Sequence, residues 1–291
     1  MYIFGQRHRP LTSRMSNMKR VLFFIIAIHV LGCETKTEKV YSTYEDGKPK
    51  IIFIYQNEFD SLNFQKKMLY NSGKINYSGQ FVEGKKSGTW TWWHENGNKK
   101  EQCKYKAGAY IDTVYHWYES GQIQQIEILS DKKIAGNDCS SCNGTTLIYF
   151  ESGKLKEKFT ANGGSLNGPY LSFEENGTWD LATYRNDSLN GPTIEHEIDS
   201  TGRVVIIVGQ YNKNRETGLW RWFDKDSVLF QSMTYRNGKT FGTAKTYYPN
   251  GKTEKEGFVD DGKYNGAVNY YDDKGKLLNI KHYKDGVSVD N

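Results

Sequence analysis

Apolar and polar residues alternate in short segments along most of the chain, and each segment is followed by a glycine. In Gly88–Trp93, Trp90 and Trp92 fall on one face of an extended strand and Thr91 and Trp93 on the other, because successive side chains of a strand point to opposite faces. Asn-Gly and Ser-Gly dipeptides follow such segments, and glycine accepts positive φ in a turn without steric cost. The pattern therefore predicts β-hairpins.

The turn signal recurs about every 24 residues along the chain. Its positions are Gly47, Gly73, Gly97, Gly121, Gly153, Gly177, Gly202, Asp226, Gly251 and Gly275. A second glycine usually stands nine residues before the first, as Gly88 does before Gly97. A fixed period of this length indicates a repeat array, in which single hairpins are marginal and become stable by packing on their neighbours.

An aromatic residue follows the second glycine at a constant distance of five residues in nearly every copy. Stacked hairpins would place these rings in register, so we predict a structural aromatic ladder whose burial stabilises the array. Its members are Trp93, Trp117, Tyr149, Phe173, Phe223, Tyr247 and Tyr271.

The lines GTWTWWHENGNKK, GPYLSFEENG, GLWRWFDKDS and YYPNGKTEKEG resemble the MORN repeat in its bacterial variant form, which occurs in proteins labelled YwqK-family antitoxins. The resemblance implies an all-β fold, an elongated and twisted antiparallel sheet of stacked hairpins of about 24 residues. Residues 71–291 would hold the repeats, and residues 41–70 would form a divergent repeat or cap. The family is chiefly one of scaffolds and interaction modules.

The first residues of the chain predict a targeting signal rather than a folded domain. Met18-Lys19-Arg20 precedes an apolar run that ends at Cys33, a run too short to span a bilayer as a helix and typical of a secretory signal. Residues 30–33, VLGC, resemble the lipobox of bacterial lipoproteins, which implies that residues 1–32 are a signal peptide with an extra extension. Cys33 would carry the lipid and residues 33–40 would be a tether. We expect an anchored lipoprotein, in the outer membrane facing the periplasm or at the cell surface.

The net charge and the missing catalytic motifs argue against two classes of function, nucleic-acid binding and catalysis. The net charge of +5 comes from five basic residues before Cys33, and the remainder has 34 basic and 34 acidic residues. Nucleic-acid binding through phosphate neutralisation is therefore not expected. The sequence holds no nucleophile elbow, Walker loop or zincin motif. We predict a protein that is not an enzyme and needs no cofactor or metal.

One spacing of 32 residues marks an insertion near residues 130–146, and it contains Cys139 and Cys142. The favoured interpretation outside the cytoplasm is a disulfide between them. A metal site or a redox pair are the alternatives, although zinc would need a second pair of ligands.

Two tryptophan pairs lie on the face opposite the predicted ladder: Trp90 with Trp92, and Trp220 with Trp222. Paired rings on an exposed sheet stack on sugars or bind peptides, whereas a curled sheet would bury both of its faces in part. The leading hypothesis is a lipid-anchored scaffold that presents a β surface to an envelope protein or glycan. A YwqK-type antitoxin and a metal or redox role of the CxxC insertion are the alternatives.

Overall fold

The computed structural model describes residues 36–57, 60–130, 134–135 and 143–290. In these residues the chain forms 23 β-strands and no helix. Strands β1–β8 are Thr37–Thr43, Pro49–Tyr55, Phe64–Leu69, Ile75–Val82, Lys85–Trp93, Lys99–Lys106, Ala109–Trp117 and Ile123–Leu129. Strands β9–β16 are Ile134–Ala135, Gly144–Tyr149, Leu155–Asn162, Ser165–Phe173, Trp179–Arg185, Ser188–Leu189, Gly191–Ile198 and Val204–Asn212. Strands β17–β23 are Arg215–Asp224, Leu229–Arg236, Lys239–Tyr247, Thr253–Asp260, Lys263–Tyr271, Leu277–Lys284 and Val287–Ser288.

All strands belong to one antiparallel sheet, in which nearly every strand pairs with the next along the chain. The predicted insertion is the main exception: β8 pairs with β10 across it, with Leu129 opposite Gly144, and β9 lies against the start of β7. Residues 41–70 contribute β2, β3 and the end of β1 to the same sheet. The predicted all-β fold of stacked hairpins is confirmed.

Two kinds of turn alternate along the array. In the wider turn, the glycine of the 24-residue signal donates to the carbonyl three residues earlier, as Gly73 does to Tyr70 at 2.9 Å, and the Tyr70 N–H donates to the carbonyl of Lys74. In the eighth copy this position belongs to Ser227, with φ of 62°, and not to Asp226 as expected. The Ser227 N–H donates to the carbonyl of Asp224.

The second kind of turn has two central residues, both with positive φ, such as Ala107 at 52° and Gly108 at 84°. This is the geometry of the two-residue hairpin whose twist matches that of the strands, and it favours Asn-Gly and similar pairs. Asn237 and Gly238 form the same turn in a later copy. Wider turns and two-residue turns therefore follow one another along the chain, and each kind has its own turn residues.

A wide bulge follows each of several two-residue turns. Gly88 has φ of 68°, and the register jumps there, since Ser78 pairs with Thr91 and Gln80 pairs with Ser87. Residues 88–90 thus lie opposite Gly79 alone, and a bulge of this kind bends and twists the strand. Trp90 covers Gly79 so closely that a Cβ there would stand 2.0 Å from the indole ring.

The bulges create two buried clusters on the same face of the sheet. The first cluster comprises Trp90, Cys103, Tyr105, Tyr110 and Val114, and the second comprises Val205, Ile207 and Trp220. Trp90 is 2% exposed and Trp220 is 4% exposed. A sheet without a covering layer obtains its core in this way, by curling bulged strands over their neighbours.

Candidate functional site

We name the two faces of the sheet by two tryptophans of β5. The Trp90 face carries Trp90 and Trp92, and the Trp93 face carries Thr91 and Trp93, as the alternation predicts. The seven residues of the predicted ladder are all half-buried, but no ring contact joins any two of them. Each hairpin supplies one ladder residue, so successive rings are two strands, about 9.6 Å, apart. A return-strand residue lies between them, as Lys99 does beside Trp93.

Hydrogen bonds between successive repeats were not predicted. The Tyr70 hydroxyl donates to the carbonyl of Trp93 at 2.7 Å. In the same way the Tyr248 hydroxyl donates to the carbonyl of Tyr271 at 2.8 Å. Tyr44 and Tyr118 make the same bond, and a ring nitrogen of His94 lies 2.9 Å from the carbonyl of Trp117. The signal that could have found them is the Tyr or His three residues before the turn glycine.

An aspartate at that position serves its own turn instead. One carboxylate oxygen of Asp224 accepts the N–H groups of Asp226 and Val228 at 2.9 Å each, and Asp272 does the same for Lys274 and Lys276. A Tyr or His at this position thus ties two repeats together, whereas an Asp at this position stabilises its own turn.

The tryptophan pairs differ in exposure within each pair. Trp90 and Trp220 belong to the two buried clusters, so in this structure their rings are covered. Trp92 and Trp222 are half-buried and lie two residues farther along the same face. The accessible part of the predicted binding surface is therefore that of Trp92 and Trp222, for which ligand binding stays a prediction.

A lysine and a cysteine complete the first cluster. The Lys86 ammonium lies 4.7 Å from the ring centres of both Trp90 and Tyr105, which is cation–π geometry. Burial raises the pKa of the Cys103 thiol to about 12. Because a thiol acts as a nucleophile only when deprotonated, Cys103 is a packing residue.

An acidic row crosses the Trp90 face next to these clusters. We use this name for Glu101, Glu127, Glu157, Asp180 and Glu195. Trp92 lies opposite Glu101, which lies opposite His116 on the next strand. The His116 ring lies between two carboxylates, with Nδ1 4.0 Å from Glu101 and Nε2 3.5 Å from Glu127.

The row continues across the middle of the sheet. Glu157 accepts the hydroxyl of Tyr170 at 2.7 Å, and Asp180 lies directly opposite Glu195. Glu195 also accepts the hydroxyl of Tyr211 at 3.4 Å. Burial, followed by the nearby Glu197 and Asp180 carboxylates, raises the pKa of Glu195. From Glu101 on β6 to Glu195 on β15 the row covers seven strand spacings, about 34 Å along the sheet.

Tryptophan stands at both ends of the acidic row. Glu101 lies directly opposite Trp92 at one end. At the other end one strand separates the carboxylate from the ring, since Glu195 lies opposite Ile207 and Ile207 lies opposite Trp222. The arrangement offers four half-buried glutamates and the exposed Asp180 between two tryptophan side chains. Chemically it suits an extended ligand that brings cations and apolar groups, since both cation–carboxylate and cation–π contacts would form.

Three segments of the chain match the MORN repeat variant: residues 86–107, 143–162 and 242–261. A search of the curated proteins found no match to the chain. MORN repeats are generally protein- or membrane-interaction repeats, and their β-repeat fold is typically a non-catalytic scaffold.

Each MORN segment corresponds to one structural unit. Residues 86–107 run from the bulged strand β5 through a wider turn to the return strand β6, and residues 242–261 repeat this course in β19 and β20. Residues 143–162 cover β10 and β11 beyond the insertion. The first MORN segment contains Trp92 and Glu101, so one end of the acidic row is built on a recognised repeat.

No group of three or more His, Cys, Asp or Glu side chains within the described residues is arranged to hold a metal ion. The same part of the chain contains no helix that could cross a membrane. Cys33, Cys139 and Cys142 lie outside the described residues, so the lipidation, the disulfide and its alternatives stay predictions.

Proposed function

We propose that this protein is a non-enzymatic scaffold that binds a basic segment of a partner protein along the Trp90 face. The acidic row between Trp92 and Trp222 is the single observation that carries the proposal. Strand pairing holds four of its carboxylates along one line across the sheet, and Glu127 lies two residues from that line along β8. A partner with cations at matching spacings would therefore meet a preorganised surface.

Charge supports a basic partner rather than an anionic one. The chain beyond residue 32 is formally neutral, so the acidic row is a local concentration of negative charge. Lys156 approaches Glu157 only to 3.9 Å, and the two side chains are 45% and 23% exposed, so this ion pair contributes little. The other contacts of these carboxylates are with the His116 ring and with neutral hydroxyls and amides, and each carboxylate has further acceptor sites that cations of a partner can use.

The proposal includes a lipid anchor on Cys33 and a place in the cell envelope. It rests on the basic patch, the apolar run and the VLGC segment. An anchored scaffold would hold its partner at the membrane surface, whereas an antitoxin of the YwqK type would act in the cytoplasm.

The partner surface is tested by chemical crosslinking and capture from envelope fractions. The test variant combines Glu101→Gln, Glu127→Gln, Glu157→Gln and Glu195→Gln. A matched control removes four carboxylates from turns, in Glu95→Gln, Glu119→Gln, Glu174→Gln and Glu175→Gln. We expect the wild-type chain and the control to capture the same partner, and the test variant to lose it.

Salt dependence gives a second readout. Capture through the acidic row should weaken as ionic strength rises, because exposed charges are screened over about 8–10 Å at physiological salt. Equal capture by the test variant and the wild type would contradict the proposed surface.

The anchor is tested separately by cell fractionation. Cys33→Ala should move the protein out of the membrane fraction, with Cys103→Ala as the matched control. A wild-type protein that fractionates wholly with the cytoplasm would contradict the anchor and would favour the antitoxin alternative.

A further inference from the structure

A polar groove of about 370 Å³ lies on the Trp93 face, across strands β2–β5. Its floor is Ile54, which is 7% exposed. The carboxamides of Gln65 and Gln80 and the hydroxyls of Ser78 and Thr89 line it. The groove is separate from the acidic row, which lies on the other face.

Strand pairing places the two carboxamides side by side. Ile54 lies opposite Gln65, and Gln65 lies opposite Gln80. Within the described part of the chain neither carboxamide takes part in a hydrogen bond, and neither do the hydroxyls of Ser78 and Thr89. Each carboxamide offers a donor and an acceptor, and each hydroxyl can act as either. The groove thus presents unused pairs of donors and acceptors over an apolar floor.

The charges at the groove favour a neutral ligand. Among the residues that the structure describes, the charged ones that line it are Lys36 and Asp60. The Asp60 carboxylate already accepts the N–H groups of Leu62 and Asn63 at 3.1 and 3.0 Å and the Asn63 side-chain amide at 2.7 Å. A single lysine is a weak basis for binding an anion, and the engaged carboxylate is a weak basis for binding a cation.

The backbone around the groove excludes one common way of binding peptides. Strand β3 pairs with both β2 and β4, and β4 pairs with both β3 and β5. No free strand edge is therefore available in the groove for an added peptide strand, whose affinity comes mainly from main-chain hydrogen bonds. Recognition must use the side-chain amides and hydroxyls.

We propose that this groove binds a neutral saccharide. Sugar hydroxyls donate and accept hydrogen bonds and so match adjacent carboxamides, while the apolar part of a sugar ring can contact the small exposed part of Ile54. This inference is independent of the proposed protein-binding surface on the other face, so either can fail alone.

The second half of the chain supplies a matched control. Gln210 follows Gly209 as Gln80 follows Gly79, and each glycine lies beneath a tryptophan. Gln210, however, lies opposite Pro192 rather than a second carboxamide. Gln210→Leu therefore removes the same group from an equivalent strand without touching the groove.

The test uses saturation-transfer NMR on the full chain in a zwitterionic detergent, with cellotetraose, maltotetraose, mannotetraose and chitotetraose as probes. We expect at least one tetrasaccharide to bind and Gln65→Leu and Gln80→Leu each to weaken its binding about tenfold. Gln210→Leu should bind like the wild type, and thermal melting should show all three variants folded.

Three results would overturn the inference. The first is that none of the four saccharides binds to the wild-type chain. The second is that Gln65→Leu and Gln80→Leu bind as well as Gln210→Leu. The third is that an uncharged tetrapeptide, added as a competing probe, displaces the saccharide from the wild-type chain and itself loses saturation transfer in Gln65→Leu and Gln80→Leu.

Discussion

The two tryptophan-centred clusters share one backbone design and differ in their polar chemistry. In each, a tryptophan three residues into a bulge covers a glycine on the neighbouring strand, and two aromatic rings flank the indole. Equivalent residues are 130 positions apart: Gly79 and Gly209, Phe81 and Tyr211, Trp90 and Trp220, and Tyr105 and Tyr235.

The polar partners have changed between the two clusters. Lys86 covers Trp90 and Tyr105, whereas the equivalent residue in the second cluster is Glu216. Burial is the main cause of the raised pKa of Tyr235, and the Glu216 carboxylate adds to it. The Trp90 indole N–H donates to the carbonyl of Gln80 at 3.2 Å, but that of Trp220 finds no partner among the described residues. The packing is thus fixed by glycine, bulge and ring, while the charged position can vary.

Removing the buried tryptophan at the centre of either cluster should have the largest effect on stability. Trp90→Ala and Trp220→Ala should each lower the free energy of unfolding by about 3–5 kcal/mol, because each leaves a cavity in its cluster. The loss should be greater for Trp90, which also has the Lys86 contact and the indole hydrogen bond. Urea unfolding measures both, with the half-buried Trp92→Ala as control. An equal loss in Trp92→Ala would contradict the central role of the buried ring.

Adding a side chain at a glycine that a neighbouring side chain covers should have the next largest effect on stability. A Cβ would stand 2.0 Å from the ring at Gly79, 2.2 Å at Gly209 and 2.8 Å from Val268 at Gly257. Replacement by alanine should therefore cost about 1–3 kcal/mol at Gly79 and Gly209 through overpacking, and less at Gly257. Thermal unfolding of the three variants checks this order. A Gly257→Ala variant less stable than the other two would contradict it.

The sequence predicted the hairpins, their period and the division of β5 between two faces, because these follow from local turn chemistry and alternation. It did not predict that Trp90 would be buried and Trp93 only half-buried. That outcome depends on the bulge at Gly88, which needs the register of the neighbouring strand. The acidic row was missed for the same reason, since only cross-strand pairing places Glu101 opposite Trp92 and Asp180 opposite Glu195.

Removing a hydrogen bond between two repeats should lower the free energy of unfolding by a smaller amount. The loss should be equal in the two halves of the chain. Tyr70→Phe and Tyr248→Phe each remove one hydroxyl that bonds to a carbonyl of the next repeat. Each should lose about 0.5–1.5 kcal/mol of unfolding free energy. Tyr115→Phe is the control, since no hydrogen bond engages that hydroxyl within the described part of the chain. A similar loss in the control would show that the ring, rather than the hydroxyl, responds.

The smallest effect on stability is expected at Glu195, beside the second cluster, and its size should depend on pH. Burial raises the pKa of Glu195 in the folded state, so its favourable contribution is present below the unfolded pKa and is lost as pH rises through the folded value. Glu195→Gln should therefore gain stability relative to the wild type between about pH 4 and about pH 7. Urea midpoints across that range measure the gain, with the exposed Glu175→Gln as control. If the difference between Glu195→Gln and the wild type did not change with pH, the carboxylate of the acidic row would be as well solvated when folded as when unfolded. The row would then be an ordinary wet surface rather than a partly desolvated site prepared for cations.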